Sequence, residues 1–148
     1  MADTSSTLDL LNELIETCKD GETGYAHAAG IVENQELKSY FLDQSRERGR
    51  FVLELKAKTE RLGSTPDTSG SVAGTLHRMW FEAKAEVGLG DQSVLTSVEQ
   101  GEDSAKKAYE KALESALPED TLTIVNRQAQ SIFIAHDAVR DWRDRKAA

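Results

Sequence analysis

Glu22, Glu47, Glu102 and His136 are the residues of this chain whose types and places can do chemistry together. Carboxylate oxygens and an imidazole nitrogen are ligands for iron, manganese or zinc. Two of the four share a local signature. "KDGETGYAHAA", from Lys19, and "EQGEDSAKKAY", from Glu99, both set Gly-Glu inside an amphipathic helical pattern, with the Glu where an apolar residue is expected. Three carboxylates cannot stay ionised together in an apolar core, because desolvation and mutual repulsion both favour protonation. A divalent cation would compensate them, with iron or manganese favoured. Gly21, Gly24, Gly49 and Gly101 each cost about 1 kcal/mol in a helix interior, a cost consistent with close approach of helices or of a ligand. A metal-free arrangement stays open beside this one. Glu22 and Glu102 can share a proton or bond Tyr25 and Tyr109, Glu47 can pair with the flanking Arg46, Arg48 and Arg50, and His136 can be hydrogen-bonded at a core boundary.

Helices must position these groups. Leu8, Leu11, Ile15, Cys18, Glu22, Tyr25, Ala29 and Val32 recur at steps of three and four, predicting a helix over about 6–32, with Ser6 and Asp9 as a capping box. Asn34 caps a second helix over about 34–62, its apolar side including Leu37, Tyr40, Phe41, Phe51, Leu55 and Leu62, and Gly63 stops it. "STPDTSGSVAG" from Ser64 breaks the period, and Val72, Leu76, Trp80, Ala83 and Val87 then share a face of a shorter helix over about 71–87. Asp91 or Ser93 caps a helix over about 91–116 along Val94, Val98, Glu102, Ala105, Tyr109, Ala112 and Ala116. Pro118, with Glu119 and Asp120, opens the last helix over about 118–145, striped by Leu122, Val125, Ala129, Ile132, His136 and Val139.

Two tight hairpins joined by a long crossover describe an all-α, ferritin-like four-helix bundle with a fifth, shorter helix in the crossover. Counting from the helix ends puts Glu22, Glu47, Glu102 and His136 at a similar depth, one on the inner face of each long helix.

The 148 residues suit a single domain, 1–148. With 26 acidic and 18 basic residues the formal charge is −8, and the basic residues are interspersed with acidic ones, which speaks against a nucleic-acid partner. No apolar run approaches the ~20 residues of a spanning helix, so no membrane partner is expected. A single cysteine, Cys18, excludes an internal disulfide and a cysteine metal cluster and fits a reducing, cytoplasmic setting. Phosphate loops, nucleophile elbows and zinc-helix motifs are absent, so no catalytic residue is assigned. His27 reads as a surface residue, and His77 and Trp80 as core or boundary residues of the connector; Trp142 and Phe133 can serve a subunit contact, and a dimer is permitted.

The runs "LNELIETCKDGETGY", "SGSVAGTLHRMW" and "EQGEDSAKKAYEKAL" resemble a bacterial ferritin-like four-helix-bundle family catalogued only as a domain of unknown function, over about Leu8 to Asp144. The resemblance implies a ferritin-like bundle in a bacterial cytoplasm, with a link to stress physiology, and supplies no established activity. The wider superfamily stores or oxidises iron. Its ligands carry over to Glu22, Glu47, Glu102 and His136, while Phe133 and Arg50 stand where further ligands would be, so the di-iron pattern is incomplete and ferroxidase chemistry is in doubt at those residues. The leading expectation is a bundle with a residual or single-metal site built around Glu22, Glu102 and His136, with Glu47 as a fourth ligand; the alternative is a metal-free structural or protein-interaction bundle whose polar layer fixes helix register.

Overall fold

The computed structural model describes residues 4–63 and 90–147. The described residues form four α-helices: α1 (Thr4–Ile31), α2 (Gln35–Arg61), α3 (Asp91–Leu113) and α4 (Glu119–Ala147). The all-α expectation holds for them, with no strand among the described residues. The fifth helix expected over 71–87, with His77 and Trp80, lies outside the described residues.

The termini of the elements show which local signals decide. Asn34 is the N-cap of α2, its Oδ1 accepting from the Leu37 N–H at 2.9 Å. Gly63 follows the C-cap residue Leu62 at φ +87°, a left-handed conformation that favours glycine. Ser6 does not cap α1, which already includes Thr4. The N-cap of α3 is Gly90, at φ +96°, rather than Asp91 or Ser93. Asp91 instead reaches across the bundle end, its two carboxylate oxygens accepting the backbone N–H groups of Glu33 and Asn34 at 2.8 and 2.9 Å. One carboxylate therefore ties the start of α3 to the turn between α1 and α2. Helix α3 stops at Leu113, and Ala116 is exposed beyond it.

This tie fixes the topology. α2 and α3 both begin at the end of the bundle where α1 finishes, so they run parallel, and Arg61 and Asp91 stand at opposite ends. Cross-helix contacts agree. Glu13 meets Lys111, Cys18 meets Tyr109 and Tyr25 meets Glu102, so α1 and α3 are antiparallel. Lys58 meets Asp120 and Glu54 meets Arg127, so α2 and α4 are antiparallel as well.

Two apolar clusters fill the interior. One gathers Leu11, Leu14, Ile15, Leu55, Ala112, Val125 and Ile132 with their neighbours. The other gathers Ala28, Val32, Leu37, Phe41, Val94, Leu95 and Val139. Their burial is the main favourable contribution holding the helices together. Between the two levels runs a layer of polar side chains.

Candidate functional site: a buried guanidinium in the polar layer

Helix α2 brings the decisive residue. From Phe41 the inward positions recur at Gln44, Arg48, Phe51 and Leu55, so the place expected for Glu47 belongs to its neighbour. The Arg48 side chain is completely buried. Its Nη2 donates to both oxygens of Glu102, at 2.7 Å to Oε1 and 2.6 Å to Oε2. Tyr25 donates its hydroxyl proton to Glu102 Oε2 at 2.7 Å, and the guanidinium lies over the Tyr25 ring, 5.3 Å from its centroid. Burial disfavours the charge on Arg48, but Glu102 outweighs it and pushes the guanidinium pKa above its ordinary value. Burial, and then the Glu102 charge, holds the Tyr25 hydroxyl pKa well above the usual range, so the phenol stays a donor. Arg48, Tyr25 and Glu102 form a compensated unit: one cation, one anion and one neutral donor.

Gly21 is explained by the same unit, and Gly49 by a carboxylate outside it. A Cβ on Gly21 would stand 2.8 Å from Arg48 Nη1, so the missing side chain is the space the guanidinium occupies. A Cβ on Gly49 would stand 2.5 Å from Glu22 Oε2, so the Glu22 carboxylate lies across Gly49.

The four residues singled out by the sequence are thus distributed unequally. Glu102 is buried, as expected, and takes the Tyr25 bond foreseen in the metal-free alternative. Glu22 is exposed, not on the inner face: the α1 seam passes through Gly21, Gly24 and Tyr25, which leaves Glu22 to one side. Glu47 is half-buried, displaced from the interior by Arg48. His136 is buried, but it bonds away from Glu102: Nε2 meets Asp103 Oδ1 at 2.7 Å and Nδ1 meets Asp137 Oδ1 at 3.1 Å. Burial works against its protonation, while the bonds to Asp137 and Asp103 outweigh it and raise its pKa.

A second polar chain, which the sequence alone did not suggest, lies one level away. The Cys18 thiol and the Tyr109 hydroxyl are 3.1 Å apart, Tyr109 donates to Gln128 Oε1 at 2.8 Å, and Gln128 Nε2 donates to Glu54 Oε1 at 3.1 Å. Arg127 completes it at the surface by pairing with Glu54. Burial pushes the Cys18 thiol up to about 11, more than Arg48 and Tyr109 can offset, which makes it a poor nucleophile.

Compared with protein-family models, residues 6–115 match the one described as "Domain of unknown function (DUF2383)". The chain belongs to that family. A search of curated proteins found no match. The family span takes in Gly21, Tyr25, Arg48 and Glu102, so the whole compensated unit lies inside it, whereas α4 with His136 lies beyond it. Two sequence signals pointed to what was missed. Arg48 continues the three-and-four spacing of Phe41, Gln44, Phe51 and Leu55, and Gln128 precedes the seam residue Ala129 by one position. A buried arginine is uncommon enough that the apolar pattern alone passes over it.

Proposed function

We propose that this DUF2383 member is a ferritin-like four-helix bundle whose central positive charge is the Arg48 guanidinium, and that it serves as a structural or protein-binding module with no metal ion in its core. The observation that carries this reading is the engagement of both Glu102 oxygens by Arg48 and of one also by Tyr25. A cation in that place does what a divalent ion would do for a core carboxylate. The parallel start of α2 and α3 supports the ferritin-like connectivity, since a chain joining opposite ends needs a crossover. Glu22 faces solvent and Glu47 is only half-buried, so the four sequence candidates do not fit a common iron or manganese ion, and no oxidase step is derived from them. A bacterial, cytoplasmic setting with Cys18 reduced belongs to the same reading.

Fe²⁺ oxidation in air tests it. The protein is expected to leave the rate at that of buffer, and Glu102→Gln to change nothing. Accelerated oxidation at a stoichiometric site, lost in Glu102→Gln and retained in His136→Ala, would contradict it.

A further inference from the structure

Outside the core unit, α3 and α4 bring together a second set of groups with a different chemistry. Glu99 and Asp103 stand one turn apart on α3 and therefore on one face of that helix. His136 reaches them from antiparallel α4, and one ligand atom from each of the three lies within 4.8 Å of the others. From this geometry we infer that Glu99, Asp103 and His136 form a binding site for a divalent first-row transition ion that clamps α3 to α4.

The donor set suits such an ion. One imidazole nitrogen and two carboxylate oxygens match zinc, manganese or ferrous iron, and three protein ligands leave places for water. Ligand atoms around an ion at ~2.1 Å are about 3.4 Å apart, so modest side-chain rotation draws the three in. The surroundings of His136 add an independent argument. Nδ1 lies 3.1 Å from Asp137 Oδ1 and Nε2 2.7 Å from Asp103 Oδ1, which holds the ring with Nε2 toward Asp103. A carboxylate behind a ligating histidine is the arrangement that fixes its tautomer and strengthens it as a ligand. When an ion binds, it replaces the proton on Nε2, which passes to buffer, and the bond to Asp137 is kept.

Access and competition are also defined. Asp103 is half exposed and opens the site to solvent, while His136 and Glu99 are largely covered. Arg143 bonds Glu99 Oε2 through Nη1, leaving Oε1 as the other carboxylate oxygen, while its Nη2 bonds Asp144 at 3.1 Å. The guanidinium is therefore a competitor that an ion must displace from Glu99. The site shares no residue with the Arg48, Tyr25 and Glu102 unit.

Titration of the full-length protein with Co²⁺, followed by its visible absorption, and with Zn²⁺ by calorimetry tests the inference. One ion per chain is expected, with a rise in Tm. Binding should vanish in His136→Ala and in Asp103→Asn, weaken about 10- to 100-fold in Asp137→Asn, hold or tighten in Arg143→Gln, and persist in His27→Ala and His77→Ala. Circular dichroism of each variant separates loss of a ligand from loss of fold, and Asp103→Asn, altering a half-exposed side chain, keeps the test available if His136→Ala unfolds. Failure of the native protein to bind either ion, or binding that survives in folded Asp103→Asn and His136→Ala, would overturn the site.

Discussion

At the residue scale the polar layer is a matter of space as much as of charge. Gly21 and Gly49 both look like weak points of a helix, yet they make room for different things. Arg48 Nη1 crowds the place of a Gly21 Cβ, in a guanidinium whose Nη2 is held by Glu102, whereas Glu22 near Gly49 belongs to an exposed, movable side chain. Gly21→Ala is therefore expected to lower stability by about 1–3 kcal/mol, since overpacking a fixed core group outweighs the gain in helix propensity. Gly49→Ala is expected to be neutral or to gain up to about 1 kcal/mol, because Glu22 can swing away. Urea denaturation of the two variants checks this; equal effects would mean that the guanidinium is not fixed over Gly21.

At the element scale, α2 and α4 share their strongest polar links at one end of the bundle. Lys58 bonds Asp120, and Glu54 bonds Arg127 and Gln128. Lys58 holds the Asp120 carboxyl below its ordinary value of 3.8. For Glu54, burial acts to raise the pKa, but the bonds from Arg127 and Gln128 bring it below its ordinary 4.5. A carboxyl lowered in the folded state adds stability that is present above its unfolded pKa and is lost as pH falls through the folded one. The urea midpoint should accordingly decline as pH drops below about 4.5, and Glu54→Gln should make that decline shallower while costing stability at neutral pH. An unchanged acid profile in Glu54→Gln would show that the link between α2 and α4 contributes nothing.

At the scale of the whole molecule, the four described helices and their antiparallel pairing were legible in the sequence because apolar period, the Asn34 cap and the Gly63 stop all agree. The depth of the polar layer was legible in part, at Glu102 and its α2 partner. Counting from the turns put Glu22, Glu47, Glu102 and His136 at one level; Glu102 does meet Tyr25 and Arg48, the neighbour of Glu47, whereas His136 bonds Asp103 and Asp137 instead. Azimuth was not legible. One residue turns a helix by about 100°, so choosing Glu47 over Arg48, or Glu22 over Gly21, exchanges surface for interior. Periodicity locates an apolar seam well, but it cannot say that a long arginine will lie in the seam above a glycine on the facing helix. The His136 cluster escaped for the same reason: Asp103 is next in sequence to Glu102 yet serves a different interface.

Inside the bundle, Arg48 and Glu102 compensate each other, and the polar layer depends on that pairing. A double-mutant cycle with Arg48→Met, Glu102→Leu and the pair together, read by denaturant unfolding in EDTA, tests it most directly. Removing either partner alone leaves an uncompensated buried charge and should cost about 3–5 kcal/mol. The double variant should lose less than either single one, despite the Tyr25 hydroxyl left without Glu102. Losses that simply add, or a Glu102→Leu variant as stable as the native protein, would contradict the guanidinium as the cation of the core.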